Sequence, residues 1–86
     1  MDRIIVRGDL TAPYQHLYVY KNGERVDTIG VLFEDIVDTV LSYLKKYELI
    51  NIDLSGPRTY MEGIEKNIKE AIITQYNFPE VTFRYV

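Results

Sequence analysis

The stretch from Glu48 to Tyr76, ELINIDLSGPRTYMEGIEKNIKEAIITQY, constrains the fold most strongly. It begins with a short apolar strand, Leu49 to Leu54, in which Ile50, Ile52 and Leu54 alternate with Asn51 and Asp53. A tight Ser-Gly-Pro turn follows, and then a long amphipathic segment. A strand that leads into a helix through a small-residue turn is half of a βαβ unit. The stretch therefore predicts a sheet built around this strand.

The amphipathic segment of this unit predicts a helix near Pro57 to Tyr76. Two starts are open: Pro57, which suits a first helical turn, or Tyr60, after a capping box formed by Thr59 and Glu62. Asn77 and Pro79 bracket the predicted end. Residues of helical spacing form the predicted inner stripe: Met61, Ile64, Ile68, Ala71, Ile72 and either Gln75 or Tyr76.

Three strands are predicted in the first part of the chain. Arg3 to Arg7 is a short β-branched run, and a loop from Asp9 to Gln15 follows it. Two further strands, His16 to Lys21 and Glu24 to Val31, flank Asn22-Gly23, the strongest short hairpin signal. A two-residue turn pairs Lys21 with Glu24, Val19 with Val26, and Tyr18 with Asp27. It places Leu17, Val19 and Val26 on one face, with Tyr18, Tyr20, Arg25 and Asp27 on the other.

The remaining elements complete an α/β domain. Phe33 to Glu48 predicts a helix whose apolar face comprises Phe33, Ile36, Val37, Val40, Leu41, Leu44 and Tyr47. Val81 to Val86 predicts a last strand. The order β-β-β-α-β-α-β predicts a single domain over residues 1–86 with a mixed five-stranded sheet. Right-handed crossovers make strands one, four and five parallel, or strands three, four and five. The helices either cover opposite faces or share one.

Composition excludes several kinds of chemistry. The chain contains no cysteine and one histidine, His16, so cysteine catalysis, cysteine-based metal sites and multi-histidine metal centres are ruled out. The net charge of −3 argues mildly against nucleic-acid binding, which requires clustered Lys and Arg. The sequence shows neither a secretory signal nor a membrane-spanning run, which predicts a cytoplasmic protein. No cofactor is predicted.

The order of elements resembles the core of the ribonuclease H-like fold, truncated before its final helix. The turn Leu54-Ser55-Gly56-Pro57-Arg58 also resembles a loop of Holliday-junction-resolvase-like members. The resemblance implies a divalent-metal site formed by acidic residues near strands one and four. It would place Asp9 and Asp53 as ligands, with Glu34, Asp35 or Asp38 as a further helical carboxylate. The competing interpretation is that Asp9 caps a turn and Asp53 lies on a solvated strand edge.

Two further candidate sites do not involve a metal. Ser55, Gly56 and Arg58 form a weak candidate anion site at a helix start, although a simple turn and cap explains them better. The tyrosine-rich composition predicts a protein-contact surface. Its candidate residues are Tyr18, Tyr20, Phe83, Arg84 and Tyr85, and the notably apolar strand Val81 to Val86 is the expected sheet edge.

These features favour a small non-enzymatic interaction module that binds a protein partner, or itself as a homodimer, through an exposed sheet face or edge strand. Small size fits a phage or mobile-element protein that adapts a host complex. The alternative is a compact metal-dependent nuclease, or a degenerate remnant of one, that uses Asp9, Asp53 and Glu34.

Overall fold

The structure, a computed structural model, describes residues 2–75 and 80–86. Its strands are β1 (Arg3–Arg7), β2 (Tyr14–Lys21), β3 (Glu24–Leu32), β4 (Asn51–Ser55) and β5 (Thr82–Tyr85). Its helices are α1 (Ile36–Tyr47), preceded by a 3-10 turn at Phe33–Asp35, and α2 (Arg58–Gln75). The element order is the predicted β-β-β-α-β-α-β, and the α/β class with a mixed five-stranded sheet is confirmed.

The strands lie side by side in the order β3-β2-β1-β4-β5. Strand β1 runs parallel to β4, and β4 runs parallel to β5, whereas β1–β2 and β2–β3 are antiparallel. Of the two crossover alternatives, the structure therefore has strands one, four and five parallel. Strands β3 and β5 form the two edges of this sheet.

Both helices cover the same face of the sheet. The helices contact each other, and one buried cluster joins their inner stripes to alternate residues of the strands. The strand members are Ile4, Val6, Leu17, Val19, Val31, Ile52 and Leu54. The helix members are Ile36, Val40, Leu41, Leu44, Met61, Ile64, Ile68 and Ala71, all from the predicted stripes. Within the described residues, the opposite face of the sheet carries no helix, and we call it the open face.

The β2–β3 hairpin has the predicted turn but a shifted register. Asn22 and Gly23 have φ of 55° and 80°, the positive values that a type I′ turn requires. Lys21 faces Glu24 and Tyr20 faces Arg25, as a two-residue turn requires, but a bulge between Val19 and Tyr20 shifts every pair beyond them by one residue. A single inserted residue exchanges the faces of everything beyond it.

The bulge makes two of the hairpin predictions wrong. Val19 faces Asp27 instead of Val26, and Tyr18 faces Thr28 instead of Asp27. Val26 is 44% exposed rather than part of the core. Asp27 lies on the helix-covered side, where its carboxylate accepts a hydrogen bond of 2.9 Å from the Tyr43 hydroxyl of α1.

Two predicted boundaries near α1 also need correction. The first turn is 3-10, and Phe33 is 50% exposed with its ring 5.5 Å from that of Tyr60. At the other end, Glu48 adopts a left-handed conformation with φ of 54°, and the Leu49 N–H donates to the Leu44 carbonyl at 2.9 Å. Leu49 therefore completes the helix cap, and β4 begins at Asn51.

Helix α2 begins at Arg58, between the two predicted starts. The Met61 N–H donates to the Pro57 carbonyl at 2.9 Å, which places Pro57 immediately before the first turn. The predicted stop at Asn77 and Pro79 lies outside the described residues.

Candidate functional site

The open face presents a polar and aromatic surface in regular rows. The strand pairing places Arg84, Asp53, Ile5, Tyr18 and Thr28 in one row across all five strands. The adjacent row contains Ser55, Arg7, His16 and Gly30. On the other side of the central row, Arg3 pairs with Tyr20, and Tyr20 pairs with Arg25. Because side chains alternate along each strand, all of these residues belong to the face opposite the helices.

Asp53 lies near one end of the central row and is the only buried carboxylate among the described residues, at 2% exposure. Arg3 Nη1 donates to both of its oxygens, at 2.6 and 2.7 Å, and Arg84 Nη2 donates to Oδ2 at 2.9 Å. Such charge-assisted bonds are roughly twice as strong as neutral ones. The Arg3 side chain is 14% exposed, whereas that of Arg84 is 60% exposed. The two guanidiniums therefore cover the carboxylate and leave positive charge at the surface.

The predicted metal ligands are separated in the fold. Asp9 follows the end of β1, whereas Asp53 pairs with Ile5 within the sheet. Glu34 is exposed in the 3-10 turn after β3, at the edge three strand positions away from β4. Within residues 2–75 and 80–86, no group of three or more His, Asp or Glu side chains is arranged to hold a metal ion.

Asp9 instead stabilises its own loop. Its Oδ1 accepts hydrogen bonds from the Thr11 hydroxyl at 2.7 Å and from the Thr11 N–H at 2.9 Å. These two bonds hold the pKa of the Asp9 carboxyl below its usual value. This geometry matches the turn-capping interpretation of Asp9.

The turn that contains Ser55 and Gly56 packs tightly against the end of β1. The Gly8 N–H donates to the Ser55 carbonyl at 2.7 Å, and a Cβ on Gly56 would lie 2.8 Å from the Gly8 carbonyl oxygen. Gly56 also has φ of 145°, so the turn requires glycine for conformation and for space. The Arg58 guanidinium lies 3.7 Å from the centre of the Tyr85 ring. Close packing and a cation–π contact thus account for the candidate anion-binding residues.

The predicted contact residues divide between the two faces. Tyr18, Tyr20 and Arg84 lie on the open face. Phe83 and Tyr85 point to the helix side, where they pack against the core. Lys69 of α2 lies 5.3 Å from the centre of the Phe83 ring.

Tyr85 is tied to α2 by a hydrogen bond, because its hydroxyl donates to Glu65. Burial and this bond raise the pKa of Tyr85 to about 12. Hydrogen bonds from Lys69 and Tyr85 lower the pKa of Glu65. These contacts fix β5 to the helix layer.

Three arginines and the histidine of the open face were not among the predicted site residues: Arg3, Arg7, Arg25 and His16. Arg7 and Arg25 are exposed, and the Arg25 Cζ lies 6.0 Å from the centre of the Tyr18 ring. The His16 and Tyr18 ring centres are 6.4 Å apart at an interplanar angle of 22°. In the sequence, the signal for these residues was the even spacing of Arg3 and Arg7, which places both on one face of β1. That spacing becomes informative only once both helices are known to cover the other face.

Comparisons of the chain with protein-family models, with curated proteins and with solved structures find no match. The ribonuclease H-like resemblance remains a prediction from the order of elements. Neither described helix is long and apolar enough to cross a membrane.

Proposed function

We propose that the protein is a small non-enzymatic interaction module that associates through the edge strand β5, with a second copy of itself as partner. The observation that carries the proposal is the position of β5 at the end of the strand order. An edge strand exposes backbone N–H and C=O groups that another strand can pair with.

Alternate residues of β5 direct their backbone groups away from the sheet. The Thr82 N–H donates to the Ile50 carbonyl at 2.8 Å, and the Val86 N–H donates to the Leu54 carbonyl at 2.9 Å. Since successive residues of a strand alternate in direction, the N–H and C=O groups of Phe83 and Tyr85 point away from β4. These groups are the ones that an added strand would bind.

The two edges differ in how well they are protected. Strand β3 carries Glu24, Arg25 and Asp27 and contains the bulge with β2, features that discourage edge pairing. Strand β5 carries Arg84 as its one charged residue, and that side chain is bound to Asp53. The β5 edge is therefore the better site for strand addition.

The side chains of β5 favour a particular antiparallel register between two copies. If Arg84 faced Arg84 of the second copy, like charges would lie directly opposite each other, which is destabilising. If Phe83 faces Phe83 of the second copy, Arg84 lies opposite Thr82 and the outward backbone groups still pair. We therefore propose the register centred on Phe83.

Two substitutions of the exposed Thr82 test this register. Both remove its 2.7 Å hydrogen bond to Asn51, so they are matched in the loss of that contact. Thr82→Glu places a carboxylate opposite Arg84 of the second copy and should strengthen the dimer, whereas Thr82→Lys should weaken it. An opposite-charge pair across strands contributes roughly 0.2–1 kcal/mol, so two such pairs per dimer give a measurable difference in Kd. Sedimentation velocity over a concentration series measures it.

The proposal fails if the wild-type protein remains monomeric over that series, or if both variants change its Kd equally. Amide hydrogen exchange supplies an independent check. In the dimer, the Phe83 and Tyr85 amides should be protected from exchange. After dilution to the monomer, these two amides should exchange rapidly, whereas those of Thr82 and Arg84, which face β4, should stay protected.

The non-enzymatic part of the proposal is supported by the engagement of Asp53 with Arg3 and Arg84. We expect no cleavage of DNA or RNA with magnesium or manganese. If cleavage occurs, and if Asp9→Asn and Asp53→Asn each abolish it, the metal-dependent nuclease is favoured instead.

A further inference from the structure

We propose that the open face of the sheet binds single-stranded nucleic acid, with its arginines contacting phosphates and Tyr18 and Tyr20 stacking against bases. This inference concerns a different surface from the β5 edge and does not depend on self-association.

The charges of the chain are separated between the two sides of the sheet. The strand residues of the open face include four arginines and one carboxylate, namely Arg3, Arg7, Arg25, Arg84 and Asp53. They give this face a net charge of +3. Because the whole chain carries −3, the residues outside this set carry −6. Asp9 lies at the rim, close enough for the charge of Arg7 to act on it. A positively charged face on an acidic protein points to an anionic ligand.

The arginines are spread across the sheet rather than clustered. Arg84 is on β5, Arg3 and Arg7 are on β1, and Arg25 is on β3. These strands occupy alternate positions in the sheet. Because neighbouring strands lie about 4.8 Å apart, the arginine-bearing strands are separated by roughly 10 Å and span roughly 19 Å in total. The face therefore offers positive charge along an extended path, as a polyanion requires.

Aromatic side chains lie between the arginines. Tyr18 and Tyr20 are on β2, between the arginines of β1 and that of β3, and His16 adjoins Tyr18. Single-stranded nucleic acids bind where a basic surface is combined with rings on which bases stack. Sheet faces present such rings to unpaired bases, whereas reading a duplex groove requires a helix or a two-stranded ribbon that enters it. The arrangement thus favours a single strand over a duplex.

The same face is a poor match for an acidic protein segment. The core of a protein–protein interface is apolar and depleted of charged residues. On the open face, Ile5 is the one aliphatic side chain in the interior of the sheet, while Leu32 lies on the edge strand β3 and Val86 directly follows β5. Nucleic-acid interfaces are more polar and more positively charged than protein interfaces, as this face is.

The test measures fluorescence anisotropy of a fluorescein-labelled twenty-nucleotide oligothymidylate and of the corresponding oligouridylate. If about three arginines contact phosphates, the affinity should fall about twentyfold between 50 and 200 mM salt. Arg7→Glu and Arg25→Glu should each lower the affinity at 50 mM salt by at least roughly eightfold, the loss expected for one phosphate contact. Both residues are exposed, and circular dichroism of each variant checks that it is folded.

Lys66→Glu is the matched control, because it makes the same change in net charge on an exposed position of α2. It should change the affinity less than twofold.

Tyr18→Leu should weaken binding while the dependence of the affinity on salt is unchanged, since it removes stacking and no charge. The outcomes that overturn the proposal are absence of binding at 50 mM salt, equal losses in Lys66→Glu and Arg7→Glu, and binding of a labelled polyglutamate peptide but not of the oligonucleotides.

Discussion

The two faces of the central strand β1 are built from alternate residues and share almost nothing chemically. Ile4 and Val6 are fully buried beneath the helices. Between and beside them, Arg3, Ile5 and Arg7 lie on the open face. The helix-covered face stabilises the domain by burying apolar area, whereas the open face leaves charge and aromatic rings available. Because both helices cover one face, the other carries no helix within the described residues.

The largest expected difference between the faces is in stability, and adjacent residues of β1 measure it. Ile4→Ala should lower the free energy of unfolding by about 2–5 kcal/mol, because it opens a cavity in the core. Ile5→Ala, on the open face, should cost about 1 kcal/mol or less, since its side chain is only partly buried. Urea denaturation of both variants gives the comparison. Equal losses would mean that the open face is packed as tightly as the covered one.

Leu41→Ala and Ile68→Ala extend this comparison to α1 and α2. Both residues are buried in the core, and each substitution should cost about 2–5 kcal/mol. A loss below about 0.5 kcal/mol for both would contradict the assignment of the helix faces.

A smaller effect is expected at the ion pairs of Asp53. Arg3→Gln and Arg84→Gln each remove one guanidinium, but the Arg3 side chain is 14% exposed and that of Arg84 is 60% exposed. Arg3→Gln should destabilise the domain by about 1–3 kcal/mol, because it removes the more buried partner of a buried carboxylate. Arg84→Gln should cost less than about 1 kcal/mol, as exposed pairs do. Thermal unfolding in low and high salt measures both. A larger loss for Arg84→Gln would show that the pair at the β5 edge is the main support of Asp53.

Much of the fold followed from local patterns. The strands, the Asn22-Gly23 turn and the inner stripes of both helices were predictable because periodicity and turn chemistry are local. The β2–β3 register was not, because a bulge has no clear signature in this sequence. One inserted residue moved Asp27 to the helix side, where Tyr43 binds it. The error at Leu49 has a similar origin, since a helix cap and a strand start compete for the same apolar residue.

The open-face site was less predictable than the fold. The net charge argues mildly against nucleic-acid binding, but it sums over the whole chain, whereas the proposed site depends on where the charges lie. Asp53 appeared from its position to be a solvated or metal-binding residue. Its partners Arg3 and Arg84 are 50 and 31 residues away in sequence, so the ion pairs became apparent only with the strand order. The division of Tyr18, Tyr20, Phe83, Arg84 and Tyr85 between two faces likewise depended on how β5 pairs.

The most direct test of this account is a methyl-resolved NMR titration with the oligothymidylate. Ile4 and Ile5 are adjacent in β1 but lie on opposite faces, so their δ-methyl signals report separately on the covered and the open face. We predict that the Ile5 methyl signal and the guanidinium signals of Arg7 and Arg25 shift on addition of the oligonucleotide, while the Ile4 and Ile68 methyl signals stay in place. Shifts confined to α2, or no shift at Ile5 when the oligonucleotide is in excess, would contradict the account.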